Sequence, residues 1–103
     1  MKSFNPAYDY MPTDVATQLP ELYATEGIRD PLAHVKLFTP DGSWTWYVCE
    51  FDSDQRLCHG LVIGHEREIG YFTLDELESV RGHLGLPIER DLHWTPRPLS
   101  QCD

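Results

Sequence analysis

Between residues 33 and 72 the chain runs as four apolar stretches separated by short polar turns, and this run most constrains the fold. Residues 33–39 alternate Ala33, Val35 and Leu37 against His34, Lys36 and Phe38, the period-2 pattern of a half-buried strand. Pro40-Asp41-Gly42-Ser43 follows. Proline presets one turn angle and glycine accepts a positive φ, so this tetrad reads as a tight turn. A second strand is expected over 44–51, a polar turn at Asp52-Ser53-Asp54-Gln55, a third strand over 57–63, a turn at 64–67 and a fourth strand over 68–72. Gly60 stands inside the third strand, where a glycine marks a bulge or a close backbone approach. Turns this short join consecutive antiparallel neighbours, so a meander is the simplest order.

Thr73 and Glu76 fit a capping box, and Leu74, Leu77, Val80 and Leu84 follow at near-helical spacing. A main helix over about 73–84 is therefore expected, ended by Gly85 and Pro87. Residues 88–94 alternate again and read as a last extended segment, stopped by Pro96 and Pro98. Upstream, Thr13-Asp14 can cap a short helix ending before Pro20, and residues 21–31 read as a loop. Residues 1–12 read as an irregular arm and residues 100–103 as a frayed tail, leaving one domain over 13–99. The fold class expected is α+β: a four- to five-stranded, mostly antiparallel sheet with the 73–84 helix packed on one face and a short N-terminal helix.

The 103 residues suffice for one small domain that buries roughly 65% of its unfolded surface. Seventeen acids against eight bases leave a formal charge of −9. A surface of that sign opposes binding to nucleic acid backbone and to anionic lipid. It suits a protein partner that carries a basic surface, with steering that weakens in salt. No apolar run reaches the ~18 residues of a membrane span, and the opening Met-Lys-Ser-Phe-Asn-Pro has no apolar leader. A cytoplasmic domain is expected. Three cysteines, Cys49, Cys58 and Cys102, show no Cys-x-x-Cys spacing and read as small apolar residues rather than a disulfide or zinc framework. The histidines, His34, His59, His65, His83 and His93, fall on separate elements and read as surface or boundary side chains.

Three groups are candidates for chemistry. Trp44 and Trp46 alternate with Tyr47 and Phe51, so both faces of the second strand are apolar. Such a strand is either central and covered on both sides or an open platform for stacking bases or a partner, though only Lys36, Arg56 and Arg67 offer a basic surround. Asp41, Glu50 and Asp52 resemble the acidic cluster of metal-dependent nucleases, in which carboxylates on adjacent strands hold magnesium or manganese. The lysine that completes such a cluster is replaced here by Asp52, and turn chemistry alone explains Asp41. His65, Glu66 and Glu68 crowd one turn, where a base and an orienting acid could meet or a hairpin tip simply be solvated.

The chain also carries Leu19-Pro20-Glu21-Leu22-Tyr23-Ala24-Thr25-Glu26-Gly27 and a continuous stretch from Asp30-Pro31-Leu32 to Thr39-Pro40-Asp41. Trp44-Thr45-Trp46-Tyr47, Glu50-Phe51-Asp52, Glu68-Ile69-Gly70-Tyr71-Phe72 and Gly85-Leu86-Pro87-Ile88-Glu89-Arg90-Asp91 follow. Over roughly residues 19–99 these segments resemble a small bacterial domain-of-unknown-function family carried on plasmids, phages and integrative conjugative elements. Some of its members are labelled single-strand DNA endonucleases. The resemblance implies an accessory protein of a mobile genetic element and supplies no catalytic residues. The acid surplus favours a non-enzymatic protein that binds a host defence or DNA-processing factor; the alternative is a divalent-metal-dependent single-stranded DNA endonuclease using Asp41, Glu50 and Asp52. An exposed strand edge could also pair two copies in a homodimer.

Overall fold

Four strands form the expected meander: β2 (Val35–Phe38), β3 (Thr45–Asp52), β4 (Leu57–Ile63) and β5 (Arg67–Thr73). The computed structural model describes residues 5–102. A short strand, β6 (Glu89–Arg90), returns to the outer edge of β2, pairing Leu37 with Arg90 and Phe38 with Glu89. The result is a five-stranded antiparallel sheet in the order β5-β4-β3-β2-β6. A separate two-stranded ribbon joins β1 (Leu32–Ala33) to β7 (Arg97–Pro98). With the short helices α1 (Thr13–Ala16) and α2 (Leu74–Ser79) the fold is α+β. Among the described residues no helix is long and apolar enough to cross a membrane.

One irregularity sets the chemistry of both faces. Val48 pairs with Gly60, but Glu50 pairs with His59, so β3 carries an extra residue at Cys49. A bulge of this kind reverses the alternation beyond it. Trp46, Val48 and Phe51 therefore share one apolar cluster with Val35, Leu37, Cys58, Phe72, Leu74, Leu77 and Ile88. Tyr47 and Cys49 share the other with Ala33, Leu61, Leu99 and Cys102. Gly60 makes the bulge possible: a Cβ there would lie 1.8 Å from the Tyr47 carbonyl oxygen. The central strand is thus covered on both faces. Trp46 is no open platform, because its face is the one that α2 covers. Trp44 is partly exposed and stacks on Trp46 with ring centroids 5.9 Å apart.

Helix α2 begins as expected, with Thr73 and Glu76 reciprocating in the capping box, but it ends at Ser79 rather than near 84. The cause is a long-range competitor. Asp41, in the β2–β3 turn, accepts hydrogen bonds from the Leu84 amide at 2.8 Å and the Leu86 amide at 3.3 Å. Residues 81–87 fold back instead, bridged at Arg81 and Pro87, with Gly85 at φ 83°. Leu84, in phase with the helix pattern, is left 71% exposed. The N-terminal helix is also shorter than expected; Pro12 precedes it and no side chain caps it.

The termini pack more closely than their sequences suggest. Within the expected arm, Pro6–Tyr8 form a 3-10 turn and Tyr10 is buried, donating its hydroxyl to the Ile88 carbonyl at 2.7 Å. Residues 1–4 lie outside the described residues. The expected frayed tail instead forms a 3-10 turn over Leu99–Gln101 and buries Leu99 and Cys102 against the second face. Ser100 donates twice to Asp30, and Arg67 donates to the carbonyls of Leu99 and Cys102. Asp103 lies outside the described residues.

Candidate functional site

Because of the bulge, Glu50 stands on the second face of the sheet, opposite His59 on β4, and His59 stands opposite Tyr71 on β5. The three side chains form a ladder across the sheet. The Glu50 Oε1 lies 3.9 Å from the His59 Nδ1, and the His59 and Tyr71 ring centroids are 4.6 Å apart.

Glu50 is only 3% exposed, and a buried carboxylate must be hydrogen-bonded. Its partners come from the loop over residues 21–31. The Tyr23 amide donates to Oε1 at 2.8 Å and the Thr25 amide to Oε2 at 2.9 Å, while the Thr25 hydroxyl also donates to Oε2. Phe51 adds a backbone bond to the Pro20 carbonyl at 2.9 Å. Burial raises the Glu50 pKa, but the hydrogen bonds from Thr25 and Tyr23 outweigh it and hold the group below its ordinary value. Tyr23 sits at φ 71°, a left-handed conformation that aromatic side chains seldom adopt.

A cleft of about 320 Å³ opens over this ladder, lined among others by Tyr23, Thr25, Glu50, His59, Ile69 and Tyr71. Its size lies at the small end of ligand and peptide pockets. Around it stand four large side chains that remain more than half exposed: Tyr23 at 63%, Ile28 at 54%, Ile69 at 58% and Tyr71 at 53%. The Tyr71 phenol is raised by desolvation and by its hydrogen bond with Tyr23.

The other acidic candidates lie elsewhere. Asp41 binds the 81–87 turn; its Oδ1 is buried without a hydrogen-bond partner, and a Cβ on Gly82 would come within 1.6 Å of it. Burial raises its pKa, yet the Leu84 and Leu86 amides bring it below the ordinary value. Asp52 closes the next turn by accepting from the Asp54 amide at 3.2 Å. The three carboxylates therefore serve three different segments, and among the described residues no group of three or more His, Cys, Asp or Glu side chains is placed to hold a metal ion. His65, Glu66 and Glu68 are exposed around the β4–β5 turn, with His65 edge-on to Trp44 at 5.5 Å. Reading along the sequence singles out Glu50 but not His59, Tyr23 or Tyr71. Antiparallel pairing of 57–63 with 68–72 is the signal that joins His59 to Tyr71.

Glu50, Asp41, Asp30 and Glu78 are all held below their ordinary pKa values. Each is then more acidic folded than unfolded, so its contribution is complete above the unfolded value and is lost as pH falls through the folded one. Stability should decline gently below about pH 6.5, because burial holds the His34 imidazole below its ordinary value and only the unfolded chain takes up that proton, and then fall steeply below the ordinary carboxylate range of about 4. Urea midpoints measured from pH 7 to pH 3 check this; a midpoint that rises on acidification contradicts it.

A family model described as "Protein of unknown function (DUF2958)" matches residues 12–102. No curated protein and no solved structure matches the chain. The family match takes in every strand of the sheet and both helices, from the residue before α1 to the buried Cys102. The chain belongs to the DUF2958 family.

Proposed function

We propose that the protein is a non-enzymatic binding module, an accessory protein of a mobile genetic element that docks a protein partner over the Glu50 cleft. The observation that carries this reading is the way the 21–31 loop is held. A buried carboxylate and a left-handed Tyr23 are both costly, and together they keep Tyr23 and Ile28 standing in solvent beside Ile69 and Tyr71. Aromatic and branched side chains fixed before binding lose little entropy on docking, which is what a binding surface needs. The charge of −9 favours a partner with a basic surface, such as a host defence or DNA-processing factor, and predicts that affinity falls with salt.

The test is capture from host-cell extract on immobilised protein at low salt, followed by a salt gradient. A discrete partner with a basic surface should be retained, released early in the gradient, and lost from a Tyr23→Ser, Ile28→Ser double variant that melts like the parent. Equal retention by the variant, or release that ignores salt, contradicts the proposal. So does manganese-dependent cleavage of labelled single-stranded DNA that Glu50→Gln abolishes.

A further inference from the structure

Strand β5 is an edge of the sheet, seven residues long, and the phase of its outward backbone groups follows from the register. At one end of the β4–β5 ladder the Leu74 amide donates to the Arg56 carbonyl at 2.9 Å; at the other the Gly64 amide donates to the Glu66 carbonyl at 3.0 Å. Antiparallel ladders alternate hydrogen-bonded and non-hydrogen-bonded pairs. Counting inward from either end gives the same phase. Cys58–Phe72, Gly60–Gly70 and Val62–Glu68 exchange bonds, and Arg67, Ile69, Tyr71 and Thr73 turn their N–H and C=O groups away from β4. The Thr73 amide is already held by Glu76 in the capping box, and its carbonyl, at the N-cap of α2, takes the first helical bond, so the outward ladder runs from Arg67 to Tyr71.

We infer that β5 pairs with β5 of a second copy, antiparallel about a two-fold axis at Gly70, to make one continuous ten-stranded sheet. Gly70 lies midway between Ile69 and Tyr71, whose outward groups exchange four backbone bonds in this register. Ile69 of each copy then faces Tyr71 of the other with both backbone bonds exchanged. These are the two exposed apolar side chains of the strand, and such branched–aromatic pairs stabilise sheets. A Cβ on Gly70 would meet nothing within 4 Å, and the two glycines face each other at the axis, where non-bonded strand pairs come closest.

Charge is compatible with this register and opposes those centred nearer the start of the strand. Centred on Gly70, His65 and Arg67 of one copy run toward Asp75 and Glu76 at the start of α2 in the other, and no like charges face each other. Centred on Glu68, that residue would face itself. Centred on Arg67, Arg67 would face itself and Glu66 would face Glu68. The long apolar edge, which would otherwise invite aggregation, is closed by its own copy. The pairing shares Ile69 and Tyr71 with the proposed docking face, but Tyr23 and Ile28 take no part in it, so a Tyr23→Ser, Ile28→Ser variant that loses the partner should still dimerise. The pairing places the two Glu50 clefts on the same side of one sheet.

Sedimentation equilibrium across a concentration series tests it. The protein should sediment at twice its 11.9 kDa mass at the higher concentrations. Ile69→Pro removes an outward N–H without touching the β4 ladder and should give a monomer whose melting is independent of concentration. An Ile69→Lys, Tyr71→Lys double variant should also be monomeric and folded by circular dichroism. An Ile69→Lys, Tyr71→Glu double variant pairs lysine with glutamate at both contacts and should dimerise again. A monomeric parent overturns the inference. So does a dimer that survives Ile69→Pro or the paired lysines, or a lysine–glutamate variant that stays monomeric.

Discussion

Replacing Gly60 by alanine is expected to cost about 4 kcal/mol or more, beyond the usual range for a single substitution. The added Cβ would lie 1.8 Å from the Tyr47 carbonyl oxygen, 2.9 Å from its carbon and 3.2 Å from the Cys49 amide nitrogen. All three are backbone atoms of the neighbouring strand, so no side-chain rotation relieves the clash. Ordinary overpacking costs about 1–3 kcal/mol because side chains can give way. Here the two central strands must separate at the bulge, and Tyr47, Cys49 and Leu61 lose their packing together. For a chain of this length the drop in Tm should be about 15 °C or more, if the variant folds at all. Gly70 is the control: it pairs directly with Gly60, and a Cβ there meets nothing. Gly70→Ala should melt within a few degrees of the parent. A Gly60→Ala protein that does the same would mean that the bulge is not where Val48 and Glu50 place it.

Glu50→Gln is expected to be almost as damaging to the binding surface as removing the side chain altogether. Every group that Glu50 meets in the loop is a donor: two amides and a hydroxyl. Glutamine keeps one acceptor oxygen but turns an NH₂ toward the others, so at least one donor loses its partner. Bonds to a charged acceptor contribute about 1.5–3 kcal/mol each, and an unmatched buried group adds its own penalty. The expected loss is about 2–3 kcal/mol, concentrated in residues 21–31, because the sheet beneath does not depend on those bonds. Hydrogen exchange should show the Tyr23 and Thr25 amides unprotected in Glu50→Gln while the β3–β4 amides keep their protection. Partner capture should fall together with that protection. Unchanged exchange at Tyr23 and Thr25 would remove the carboxylate from its place as the loop's anchor.

Much of the sheet is legible from local chemistry. Pro40-Asp41-Gly42-Ser43 and Asp52-Ser53-Asp54-Gln55 specify turns within four residues, and the strands between them alternate or run apolar. Thr73 and Glu76 act within one helical turn, so the start of α2 is legible too. Its end is not, because the competitor is a carboxylate more than forty residues away, bonding the Leu84 and Leu86 amides. Nor is the parity of Glu50. Gly60 points to a close approach, but nothing in 44–51 says which residue of that strand is the extra one, and that choice decides which face receives the carboxylate. The acidic group at Asp41, Glu50 and Asp52 is conspicuous in the sequence for the same reason that it does not assemble in space: each member bonds backbone amides of a different segment. His59 and Tyr71 come together only through strand register, and Tyr23 only through the bonds that Glu50 makes.

The order in which the two faces are covered has a consequence for synthesis. The meander is complete at Thr73, yet the first face is closed by Ile88 and the second by Leu99 and Cys102, which follow by fifteen to twenty-nine residues. At ~5–20 residues per second the ribosome needs roughly one to six seconds to supply them. During that interval a nascent sheet stands with Trp46, Tyr47 and Leu61 bare and its edges open. The protein should therefore call on chaperones that hold emerging chains, and its yield should respond to slower translation of the codons for residues 74–102 more than to slower translation of those for residues 5–34.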